Sequence, residues 1–190
     1  MFTSDVNINK LETLIEINAL INSDYSDLQA VLQRILESAM RLIECEAASL
    51  LLLNPENNKL YFEVALGAKG PDVKKFSLNL GEGIAGWVAE NNRSLIVNDV
   101  DRDSRFYAEI GRKIGFTTDA ILAVPMRIKE RSVGVIEMIN KKSGRDFDQD
   151  DLQWLEIFST QGALAIQNAK SFQQARDEID NLQRQGDNAQ

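Results

Sequence analysis

A chain of 190 residues with 44% hydrophobic and 26% charged content is expected to form one domain of roughly 150 residues with helical extensions. Its 29 acids outnumber 21 bases for a net charge of −8, and Arg102, Arg105, Arg112 and Lys113 are interleaved with Asp99, Asp101, Asp103 and Glu109, so nucleic acid is not expected as a partner. With no histidine and one cysteine, the chain cannot build a histidine-ligated haem or zinc site, a Ser-His or Cys-His dyad, or an internal disulfide.

Residues 8–22 read as a first helix through Leu11, Leu14, Ile15, Ile17, Leu20 and Ile21, a spread too broad for a solvated helix. Asn22-Ser23-Asp24 interrupts it, and Asp24 or Ser26 can cap a second helix carrying Leu28, Val31, Leu32, Ile35, Leu36, Ala39 and Leu42. Cys45 follows, at a position where a small buried hydrophobe is expected. Ala48–Leu53 is apolar on both faces, the mark of a central strand, and turns through Asn54–Asn58 into alternating Leu60, Phe62, Val64 and Leu66. After a loop at 67–73, short strands around Phe76–Leu80 and Leu95–Val97 flank a helix over Ile84–Asn91, in which Trp87 is read as core. Residues 103–114 form a polar helix or loop over the sheet. Ala120–Ile128 and Ser132–Asn140 pair as a last hairpin, and Pro125, having no N–H, belongs beside a bulge or an unpaired side.

From Asp148 the chain reads as helix to about Asn181. Leu155, Phe158, Gly162, Ala165, Ala169, Phe172, Arg176 and Ile179 step by alternate threes and fours, the spacing of a coiled-coil seam. Over residues 152–166 such a stripe also suits packing on the protein's own sheet; beyond Ala169 it needs another partner. A parallel homodimer bundling both terminal helices is the expected assembly. No apolar run reaches the roughly 20 residues that span a bilayer, and Met1–Asp5 lacks a basic-then-apolar leader, so the cytoplasm is the expected compartment.

Local chemistry concentrates in two stretches. Gly81-Glu82-Gly83 ahead of a helix offers free N–H groups and a positive dipole end, suited to an anion or equally to a tight turn. Asn140-Lys141 ends an apolar strand, and Phe147-Asp148-Gln149-Asp150-Asp151 reads as a helix entrance: Asp148 as N-cap, Phe147 stapled to Leu152, and Asp151 placed to pair with Lys141. Glu137 lies on the strand face of Val133, Val135 and Ile139, so its carboxylate must pair, hydrogen-bond or meet a wet pocket.

The Asn140-Lys141, Phe147, Asp151 series resembles the Asn-Lys…Phe…Asp-Glu motif of GAF domains, with Leu152 in place of the final acid. Gly81–Ala89, Phe106-Tyr107, Gly115–Thr118, Ile121–Pro125 and Val133–Glu137 follow in that family's order, and the resemblance covers roughly residues 24–170. It implies an α+β fold: a central antiparallel sheet with helices from both termini packed on one face and a ligand pocket on the other. The domain plan is then a dimerisation or linker helix over 1–23, the GAF domain over 24–170 and a helical extension with a polar tail over 171–190. The resemblance further implies a non-catalytic sensory module of a larger signalling protein, with an output domain or signalling partner. Its ligand is a small intracellular molecule, with cAMP or cGMP the leading candidate and no other cofactor. The implied pocket draws on Phe76, Gly83, Ile84, Ala85, Asp99, Val100, Phe106, Tyr107, Thr117, Thr118 and Glu137. Asn140, Lys141, Phe147 and Asp151 are structural. A ligand-free homodimerisation scaffold is the alternative, and an enzyme has little support.

Overall fold

Apolar residues cover both faces of the first strand because it lies mid-sheet. The computed structural model describes residues 28–187, in the order α1 (Leu28–Ile43), β1 (Cys45–Asn54), β2 (Lys59–Leu66), a one-turn α2 (Gly70–Val73), β3 (Ser77–Asn79), α3 (Gly83–Asn91), β4 (Leu95–Val97), a 3-10 turn (Val100–Arg102), α4 (Glu109–Ile114), β5 (Ile121–Ile128), β6 (Arg131–Lys141) and α5 (Gln149–Asp187). The strands form one sheet in the order β3-β2-β1-β6-β5-β4, antiparallel at every pairing. The helix expected over residues 8–22, with its following cap, lies outside the described residues.

Helices cover one face and a cavity occupies the other, as the fold reading expects. α1 buries Leu32, Ile35, Leu36, Ala39 and Ile43, the stripe set by its helical period. With Leu155 and Phe158 of α5 it packs on Leu50, Leu122, Val124, Ile136 and Met138 of the sheet. On the opposite face, Ile84, Ala85 and Val88 of α3 pack with Leu51, Ala123 and Val135. Period-two alternation along β6 therefore sends Ile136 and Met138 to the helices and Val135 to the far side. Gly134 makes the closest backbone approach: an added Cβ would lie 2.2 Å from the Leu51 carbonyl and 2.5 Å from Met126 Cε. Pro125 sits where a residue without an N–H is tolerated, since β4 stops opposite Ala123 and the β5–β6 register shifts between Met126 and Arg127.

One sequence expectation needs correction. Trp87 is only half-buried, and the Arg105 guanidinium lies 4.6 Å from its ring centroid, so it edges the second core instead of filling it. The apolar seam of α5 divides in two, as its length against the sheet suggests. Leu155, Phe158, Gly162 and Ala165 are buried, with Gly162 seated against Met126 and Ile136, so the small residues serve the chain's own sheet. Past Ile166 burial ends, and Phe172, Ile179 and Leu182 are exposed at 51%, 55% and 62%. Their heptad takes in Ala175, leaving Arg176 outside it.

Candidate functional site

The entrance to α5 is built as its residues predict. Asp148 Oδ1 accepts the N–H groups of Asp150 at 2.9 Å and Asp151 at 3.0 Å, while Asp151 Oδ2 accepts the Asp148 N–H at 3.0 Å. This reciprocal cap satisfies donors that the first turn leaves without intrahelical partners. Lys141 Nζ reaches the same Asp151 oxygen at 2.5 Å, with both side chains little exposed. Phe147 is buried, and Leu152 packs against the same cluster. Asn98, which the sequence reading did not single out, clamps Phe147 from both sides: its Oδ1 accepts the Phe147 N–H at 2.9 Å and its Nδ2 donates to the Phe147 carbonyl at 3.0 Å.

Asn140 holds the neighbouring loop. Its backbone adopts φ +53°, a left-handed conformation that asparagine tolerates better than most residues. Its Oδ1 accepts from the backbone N–H groups of Asp119 and Ala120, and its Nδ2 donates to Glu46 Oε2 and the Thr117 carbonyl. One amide thus ties the segment preceding β5 to β1 and β6.

On the sheet face opposite α1 and α5, partly covered by α3, lies a cavity of about 100 Å³. Its floor is Ser49 of β1, Ile121 of β5, and Glu137 and Ile139 of β6; Gly83, Ile84 and Ala85 at the start of α3 form one wall. Phe106, Tyr107, Ile110, Gly111, Ile114, Phe116 and Thr118 close over it, with Phe62, Val73 and Leu78 behind. Among the expected pocket residues, Gly83, Ile84, Ala85, Phe106, Tyr107, Thr118 and Glu137 meet here. Gly83 has φ +68°, and a Cβ there would press within 3.3 Å of Tyr107 Cβ, so glycine permits both the helix start and the covering segment.

The other four expected residues lie elsewhere. Phe76 stands outside the lining, with Lys113 Nζ 5.7 Å from its ring centroid. Asp99 points outward to Arg102 at 3.0 Å. Val100 is buried in the second core, its N–H bonded to the Asp119 carbonyl. Thr117 is exposed on an outer depression, because adjacent residues of an extended chain face opposite ways; Phe116 and Thr118 turn to the cavity instead. Missed lining residues include Ile110, Ile114 and Phe116. The spacing of Ile110 and Ile114 by four was the signal that a short helix turned an apolar edge inward.

Glu137 is 7% exposed, and its carboxylate has no hydrogen-bonding or ion-pair partner among the described residues. Burial pushes its pKa up to about 7. Among the described residues no lysine or arginine lines the cavity, and two nearby cations are already engaged: Arg105 pairs with Asp103 at 2.5 Å, and Lys113 with Glu109 at 2.5 Å. Tyr107 directs its hydroxyl outward to donate to Glu109, leaving its ring toward the cavity. At the far wall, the N–H groups of Gly83, Ile84 and Ala85 have no intrahelical acceptors. The pocket therefore offers apolar walls, backbone donors at one end and a lone carboxylic group on its floor.

The GAF domain family model matches residues 26–167. A probable 3',5'-cyclic phosphodiesterase, pde-5, of Caenorhabditis elegans is 30% identical over 172 residues, covering 86% of this chain and 24% of that protein. The dual 3',5'-cyclic-AMP and -GMP phosphodiesterase 11A of Takifugu rubripes is 30% identical over 182 residues, covering 90% of this chain and 20% of its own. The chain thus spans only a quarter or less of these two relatives. Among solved structures, the GAF domain of an Acinetobacter phosphoenolpyruvate-protein phosphotransferase superposes with a TM-score of 0.73 at 24% identity, covering 85% of this chain and 94% of that one, and so shares its fold.

Proposed function

The chain belongs to the GAF domain family, and from that premise we propose that it is a non-catalytic sensory module whose cavity binds a cyclic nucleotide, cAMP or cGMP. The observation that carries this reading is Glu137: a buried carboxylic group, unpartnered among the described residues, on the floor of a mainly apolar cavity beside open backbone donors. A purine would occupy the apolar space and the cyclic phosphate would meet the start of α3. The similarity to cyclic-nucleotide phosphodiesterases supports this ligand class. The occupied state would reach α5 through the sheet, because Glu137 faces the cavity while Ile136 and Met138 on the same strand face the helices. Two copies would join through the exposed apolar stripe of α5, in the cytoplasm, as part of a larger signalling protein.

Thermal unfolding with and without millimolar cAMP or cGMP tests the reading. Ligand at 100 times its Kd adds about 2.7 kcal/mol, which raises Tm by roughly 5–10 °C at this size. The absence of a shift with either nucleotide would leave the second reading, a dimerising scaffold without nucleotide. One observation favours that alternative: about 100 Å³ is small beside the 300–1,000 Å³ typical of ligand pockets. A cyclic nucleotide therefore requires the 103–118 segment to move outward.

A further inference from the structure

Resting on the nucleotide reading above, we infer that the cavity takes up its anionic ligand together with one proton, which Glu137 carries. The argument begins with what faces this carboxyl. Directly across the ladders stand Ser49 on β1 and Ala123 on β5, neither of them charged. α3 presents its first backbone N–H groups, and the lining contributed by β2, β3 and α2 is hydrocarbon. The covering segment contributes one titratable group, Tyr107, whose hydroxyl is bonded to Glu109 on the solvent side. Among the described residues, no second acid and no cation lines the space.

A cyclic phosphate carries one negative charge throughout the neutral range. Enclosed with an ionised Glu137, it would be a second anion in a site of low dielectric with only backbone dipoles to offset both. Like charges in one desolvated site disfavour double ionisation, as paired carboxylates demonstrate. Protonation removes the repulsion and turns the carboxyl from an acceptor into a group that also donates, able to reach a purine ring nitrogen or a sugar oxygen. The geometry of Glu137, at 7% exposure, independently disfavours its charged form before ligand enters. Its pKa of about 7 places the empty site at the midpoint of its titration near neutrality.

Calorimetric titration of the 190-residue chain with cGMP and with cAMP tests this, from pH 6 to 8.5 and in two buffers of different ionisation enthalpy. The expected result is uptake of close to one proton per nucleotide at pH 8, with Kd weakening about tenfold per pH unit above neutrality and levelling below pH 6.5. In Glu137→Gln, which stays neutral, nucleotide binding should lose its buffer and pH dependence. The buffer comparison needs no variant, so it stands even where Glu137→Gln fails to fold. Nucleotide binding with no proton uptake would overturn the inference and leave the sensor reading intact. Failure of both nucleotides to bind across the pH range would overturn both.

Discussion

Lys141 at the end of β6 and Asp151 in the first turn of α5 form an ion pair at 2.5 Å that is also part of the helix cap, because the same Asp151 oxygen accepts the Asp148 N–H. The strand carrying Glu137 and the helix that leaves the domain are therefore joined by one carboxylate. Removing one partner strands the other in a site where both side chains are little exposed. Asp151→Ala is expected to destabilise the fold by about 3 kcal/mol, and Lys141→Met by less, since the capping carboxylate survives. Urea unfolding of both singles and the double variant should give a coupling energy above about 1 kcal/mol; additive effects would refute a shared role.

Asn140 combines a left-handed backbone with side-chain bonds to the start of β5, to Thr117 and to Glu46. Asn140→Ala loses both features, whereas Asn140→Gly keeps the backbone freedom. The alanine variant should therefore be less stable than the glycine variant by about 1 kcal/mol, with both below wild type. Equal urea midpoints for the two would show that the left-handed backbone costs nothing there.

How legible these features were depended on whether they were local. The cap at Asp148, the latch from Lys141 to Asp151 and the central position of β1 all follow from residue types at short spacing. The cavity was harder, since its roof is assembled from Phe106-Tyr107, α4 and the extended stretch after Gly115, pieces too short to show a period by themselves. Thr117 and Thr118 illustrate the difficulty: both carry hydroxyls, and only the alternation from Phe116 to Thr118 separates the exposed one from the lining one. Asp99 was misplaced because a surface ion pair to Arg102 turns it outward. For α5, helix length against the width of a sheet already separated residues 152–166 from those beyond Ala169, and burial does end at Ile166.

Glu137 should set a measurable part of the pH dependence of stability. Burial raises its folded pKa to about 7, above the unfolded value near 4.3. The sign follows: its stability contribution is complete below about pH 4.3 and is lost as pH rises through about 7, where the folded state must bury a charge. Glu137→Gln should match wild type near pH 4 and exceed it by about 3 kcal/mol at pH 8. Urea midpoints of the pair at both pH values decide it; a constant difference would show that the carboxyl titrates normally.

The exposed stripe of α5 gives an assembly prediction. Phe172, Ala175, Ile179 and Leu182 step by three, four and three along one helix face, the spacing of a two-helix seam. Sedimentation of the full chain should show a dimer, and the Phe172→Glu, Ile179→Glu double variant a monomer with an unchanged core and far-UV spectrum. A monomeric wild type would remove the dimer from the proposed function.

Cys45 is fully buried beside Met138, and burial pushes its thiol up to about 11. A disulfide reagent at pH 8 should leave it unmodified in the folded protein and modify one thiol per chain in denaturant. Rapid reaction in the native state would mean that the α1–β1 junction opens readily.

α5 runs for 39 residues without a break, about 58 Å at the usual rise, with only its first half bedded on the sheet. A rod held at one end has leverage. A tilt of about 5° at its bedding would swing the far end of the unbedded half, roughly 30 Å away, by about 2–3 Å. Displacements no larger than a methyl group at Met126 and Ile136 would thus be geared up at the tip, so a signal of the kind proposed above would leave as a change of angle, carried by the direction in which the rod points.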